Sequence, residues 1–105
     1  MAFNGNFLCT SFKVELMKGV HNFTAASNVF KIALYTNSAT FTAATTAYTA
    51  TNEVSGTNYT AGGNFLTSVT PVAISTTALT DFADEVFSTV TISAVRGALI
   101  YNAPA

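Results

Sequence analysis

Asp81, Asp84 and Glu85 place three carboxylates within five residues, the densest acidic run in the chain. A carboxylate pair can do general acid–base work, but only in a cleft that separates the two pKa values. Clustered oxygens can also hold calcium, yet this run lacks the ligand spacing of an EF-hand loop. The run reads as a solvated acidic turn, with a contact to a Lys or Arg of another subunit as the second reading. His21 and Cys9 are the sole residues of their types. A lone His with one Cys and no second His nearby does not build a zinc site, and a nucleophilic thiol needs a base held beside it. Cys9 therefore reads as a small buried or half-buried apolar residue that forms no internal disulfide. His21 reads as a surface or helix-end residue. No serine stands in a GxSxG elbow, and the glycines of the run NEVSGTNYTAGG fit neither a P-loop nor a dinucleotide fingerprint. The expectation is a protein that is not an enzyme, with no catalytic, cofactor-binding or metal-binding residues. A lysin or depolymerase would have to rely on Asp81, Asp84 and Glu85. A glycan-binding module, another alternative, would have to use exposed Tyr48 and Tyr59 with Asp81.

Composition sets the class. The chain has 105 residues, which suits one domain with a modest core. Only 9% of its residues are charged, against roughly 25% in an average soluble domain. Its polar surface must come from Thr, Ser and Asn, which protect weakly against association. Such a chain is expected to work inside an assembly. The four basic residues, Lys13, Lys18, Lys31 and Arg96, are scattered and the net charge is −1, so nucleic acid is not an expected partner. Half of the residues are hydrophobic, the reverse of a disordered composition. No apolar run approaches the roughly 20 residues of a membrane helix, and MAFNGNFLCTSFK has no basic n-region followed by an apolar stretch. The triplets Asn22-Phe23-Thr24 and Asn58-Tyr59-Thr60 are glycosylation sequons of the kind a Thr-rich chain produces by chance.

The elements that would position these residues are mostly strands. Leu8, Phe12, Leu16 and Val20 recur four apart, which predicts a short amphipathic helix over 7–20 with its stripe packed on a sheet. Thr10 or Ser11 could cap it, Glu15 could contribute to its first turns, and Gly19 suits its end. Residues 28–36 alternate Val29, Lys31, Ala33 and Tyr35 against the wholly apolar Phe30, Ile32 and Leu34, a half-buried strand. Residues 36–51 are low in complexity and read as a long Ala/Thr loop, with a turn of helix near Ala43 to Ala47 as an option. Gly56, Asn58, Gly62 and Gly63 offer positions for positive φ. Further strand patterns run over 65–72, 74–82, 90–94 and 95–101, with Pro71 ending the first of these or marking it as an edge. The predicted fold is mainly β, an antiparallel β-sandwich or barrel-like sheet with one short N-terminal amphipathic helix. Residues 1–105 form a single domain, with 1–6 as an N-terminal arm.

Five segments carry a resemblance across nearly the whole chain. They are Phe12 to Asn22 (FKVELMKGVHN), Lys31 to Thr36 (KIALYT), Asn52 to Gly63 (NEVSGTNYTAGG), Ala83 to Phe87 (ADEVF) and Val95 to Tyr101 (VRGALIY). In this order and spacing they resemble a family of small virion proteins of tailed bacteriophages, and the Asn52–Gly63 segment is the most specific. Two departures stand out. Phe87 occupies the place of a tryptophan usual in the family, and the family continues beyond the last strand into another. A naturally short member would have an open sheet edge for a neighbouring subunit to fill; an incomplete sequence is the alternative. The resemblance implies a place in the virion, reached after assembly in the host cytoplasm, and no catalytic residues. The expectation is a capsid decoration (cement) protein, a homo-oligomer such as a trimer, with the major capsid protein or other virion proteins as partners. A tail, baseplate or fibre-attachment component is the alternative. Phe3, Asn4, Phe41, Tyr48 and Tyr59 are the candidate interface residues, with no nucleic acid, membrane or cofactor expected.

Overall fold

The computed structural model describes residues 6–103. The elements in order are α1 (Thr10–Met17), β1 (Val29–Thr36), β2 (Asn64–Leu66), β3 (Ser68–Ile74), β4 (Thr77–Phe82) and β5 (Val95–Ala103). The chain is mainly β, with five strands in two antiparallel sheets and one short N-terminal helix. A three-stranded sheet has the order β2-β1-β5, and β3-β4 is a separate hairpin.

β1 is the centre because it alone is covered on both faces. Phe30 lies under an aromatic cluster: Phe23 stacks on it at 4.6 Å and Phe82, at the hairpin's base, approaches at 5.6 Å. Phe12, His21 and Phe23 continue the cluster, with the Phe12 and His21 rings 4.8 Å apart. On the opposite face Ala33 and Tyr35 are fully buried with Ala39, and Phe41, Tyr48, Leu99 and Tyr101 pack around them. The face that mixes Lys31 with Ala33 and Tyr35 thus carries as much of the core as the wholly apolar one. Lys31 is accommodated at its end, with Nζ 4.8 Å from the Phe65 ring centre. Antiparallel pairing sets Leu99 opposite Ala33 and Gly97 opposite Tyr35.

Several predicted boundaries move. The helix spans Thr10–Met17 rather than 7–20 and buries none of its residues. Leu8, Leu16 and Val20 are exposed, so the expected stripe does not pack as one face; only Phe12 turns inward. Cys9 is the N-cap and makes no side-chain capping bond. The chain leaves the helix through Gly19 at φ +76°, the C-terminal glycine expected. The strand predicted over 65–72 breaks at Thr67, where Phe65 and Leu66 belong to β2 and the rest to β3. Pro71 lies within β3 at a bulge between Val69 and Val72, which an edge position permits. Residues 90–94 form no strand, only an isolated bridge between Thr57 and Thr91. The loop expected over 36–51 is present from Asn37 on, with turns but no helix near Ala43 to Ala47.

Candidate functional site

All four tyrosines of the chain converge on the segment Thr49–Gly62, and Glu53 lies at the centre of the arrangement. The Tyr48 hydroxyl donates to Glu53 Oε1 at 2.5 Å, and the Tyr59 hydroxyl donates to Oε2 at 2.5 Å. The Gly62 amide adds a third donor to Oε2 at 2.8 Å. Tyr35 donates to the Thr49 carbonyl and Tyr101 to the Gly62 carbonyl, each at 2.7 Å. Tyr48 stacks on Tyr101 with ring centres 4.9 Å apart. A carboxylate that accepts from several donors is a strong local anchor, since charge-assisted bonds exceed neutral ones in strength.

The network exists because β2 is short. It pairs with β1 only from Phe30 to Ile32, so the next groups of β1 need other partners. The Tyr59 hydroxyl accepts from Leu34 N–H at 2.9 Å, and Val54 N–H donates to the Leu34 carbonyl at 3.0 Å. Thr36 N–H donates to Asn52 at 3.0 Å. Asn52–Val54 thus extends the sheet edge, and Glu53 holds that extension in place. Gly63 makes the return: at φ +82° a Cβ would overlap the Ile32 carbonyl oxygen.

The electrostatics follow from burial beside a carboxylate. Loss of water, then the hydrogen bond to Glu53, pushes the Tyr48 phenol up to about 12. Burial and Glu53 raise Tyr59, Tyr35 and Tyr101 in the same sense. These hydroxyls stay protonated donors through the neutral range, and both Glu53 oxygens are taken by donors within the chain. The arrangement fixes a loop rather than presenting a free acid or base.

A second polar cluster ties the N-terminal segment to β5. The His21 side chain, 8% exposed, meets Glu15 through Nε2 at 2.9 Å. Its Nδ1 meets the Asn102 amide at 2.9 Å, and Asn102 also donates to Asn28 at 3.3 Å. His21 is therefore inside an aromatic stack at the end of α1, and Glu15 serves it rather than the first turn of the helix.

The sequence-derived candidates fall as follows. Phe3 and Asn4 lie outside the described residues. Phe41 is half-buried, edge-on to Tyr35 with ring centres 4.7 Å apart. Tyr48 and Tyr59 are half-buried and held by Glu53. Asp81 accepts from the Phe82 amide and Glu85 from Asn64. Among the described residues no group of three or more His, Cys, Asp or Glu side chains gathers as for a metal ion. No helix among them is long and apolar enough to cross a membrane.

Compared with protein-family models, curated proteins and solved structures, the chain matches none.

The outer surface is the other notable feature. Every residue from Val69 to Asp81 is exposed, so the β3-β4 hairpin projects from its base at Phe82. Antiparallel register pairs Val72 with Leu79 and Ile74 with Thr77. Alternation then gathers Val72, Ile74 and Leu79 on one face of the hairpin. In the sequence these residues carry an ordinary strand pattern, which does not distinguish an exposed face from a covered one.

Proposed function

We propose that this chain is a structural component of a tailed-bacteriophage particle, a capsid decoration protein that bridges and stabilises neighbouring major capsid subunits. The observation that carries the reading is the imbalance between what the chain buries and what it leaves open. Its described core is small: Phe30, Ala33, Tyr35, Ala39 and Val54. Large apolar side chains stand exposed on α1, on the hairpin and on β5, Met17 at 82% and Ile74 at 61% among them. No charged residue interrupts the sequence from Val54 to Thr80. An extended apolar surface with so little charge is suited to burial against other proteins.

The Tyr–Glu53 network supports the same reading, because it pre-orders a long loop and so lowers the entropy lost on docking. Apolar contact contributes roughly 25 cal/mol per Å², and repetition over a lattice multiplies a modest local gain. The Asn52–Gly63 segment, which resembles phage virion proteins, contains Glu53, Tyr59 and the glycine turn.

Quantitative mass spectrometry of purified virions tests the reading. Hundreds of copies per particle, in simple ratio to the major capsid protein, are expected. A handful of copies would favour a tail, baseplate or fibre-attachment role, and absence from purified particles would reject a virion role.

A further inference from the structure

The projecting hairpin and the outer face of α1 each expose apolar side chains, and the charges beside them have opposite sign. At 100° per residue, Val14 and Met17 share the outer arc of α1, opposite Phe12 and Glu15, which turn toward His21. Their exposures of 41% and 82% agree with that placement. Lys13 lies in the same arc and Lys18 at its margin, both exposed. The hairpin face of Val72, Ile74 and Leu79 is bordered by exposed Asp81, with exposed Asp84 just beyond. Among the described residues the one ion pair is Glu15–His21, so none of Lys13, Lys18, Asp81 and Asp84 is ion-paired among them.

We infer that the outer face of α1 in one copy of this chain docks on the apolar face of the β3-β4 hairpin of a second copy, with Lys13 and Lys18 against Asp81 and Asp84. A helix laid on a two-stranded sheet buries the apolar face of both. Met17 at the centre can adapt to the facing side chains. The contact joins two different surfaces, so each copy donates a helix and accepts one, and successive copies close into a ring if the rotation permits.

Size limits its strength. The seven residues of β3 and the spacing of two strands give the hairpin face roughly 230 Å², well below the about 800 Å² per partner of a stable pair. Two such contacts per copy in a ring still fall short. Association in solution is therefore weak, concentration-dependent and sensitive to salt. The inference goes beyond the proposed function, because it concerns the free chain whether or not that chain decorates a capsid.

Sedimentation velocity of the full chain up to roughly 1 mM, at low and high ionic strength, is the test. The wild type should self-associate at low salt and dissociate as salt screens the charges. K13E/K18E and D81K/D84K should each weaken association by about tenfold or more, with circular dichroism unchanged. The variant carrying all four reversals should associate again, because the complementarity is restored with opposite sign. A wild type that stays monomeric throughout would overturn the inference. So would association that neither reversal weakens, or that the fourfold variant fails to regain.

Discussion

At the scale of single residues, Glu53 holds the tyrosine network together. Glu53→Gln replaces an acceptor-only carboxylate with an amide that must also place two donors among hydroxyls and an N–H. Stability should fall by about 1–3 kcal/mol, which differential scanning calorimetry would register as a Tm lowered by several degrees. The tyrosines make a pH prediction whose sign is fixed. Burial, reinforced by Glu53, raises the Tyr48 phenol to about 12, above the about 10 of an unfolded chain. The folded state therefore holds its proton longer than the unfolded state does. The stability this confers is complete below about pH 10 and is lost as pH rises toward about 12. Denaturant titrations across that window should show a falling midpoint, and E53Q should flatten the fall. Of this network the sequence made Tyr48 and Tyr59 visible as candidates, but for partner contact. Glu53, Tyr35 and Tyr101 were not among the candidates, because their convergence depends on strand pairing that brings Tyr101 beside Lys31. The available signal was a single carboxylate inside an otherwise uncharged, tyrosine-flanked stretch.

At the scale of elements, close approach and conformation can be separated at two glycines. Gly19 and Gly63 both have positive φ, but a Cβ at Gly19 meets nothing within 4 Å, whereas at Gly63 it meets the Ile32 carbonyl. Gly19→Ala should cost about 1 kcal/mol from conformation alone. Gly63→Ala should cost distinctly more, since β1 or the turn must shift, and urea denaturation of the two variants compares them directly. The hairpin and the core should differ as sharply. Phe30→Ala removes a ring 2% exposed and should cost about 3–5 kcal/mol, while Ile74→Ser on the hairpin should stay within about 0.5 kcal/mol. β1 and β5 were legible because their alternation is strong and their pairing is long. The break at Thr67 was not, since Phe65 to Val72 keeps one period while the chain passes from one sheet to the other. Residues 90–94 have strand composition without a partner, and composition alone does not supply one. The four-residue repeat around α1 is present, but Leu8 and Val20 fall outside the helix and Leu16 is exposed, so Phe12 alone of the four packs inward.

At the scale of the whole molecule, low charge, a small core and a projecting apolar hairpin belong to a single physical description. The chain is ordered through its own hydrogen-bonded loop and leaves many of its large apolar side chains exposed. The mainly β class was legible in composition and alternation, while the exposed hairpin became visible only in the fold. Cryo-electron microscopy of the intact virion tests the central claim most directly. The account predicts density for this chain at regular positions over the head lattice, spanning adjacent capsid subunits, with the β3-β4 hairpin at a contact. Density confined to the neck or tail would contradict the decoration role, and no density for the chain anywhere on the particle would contradict the virion reading itself.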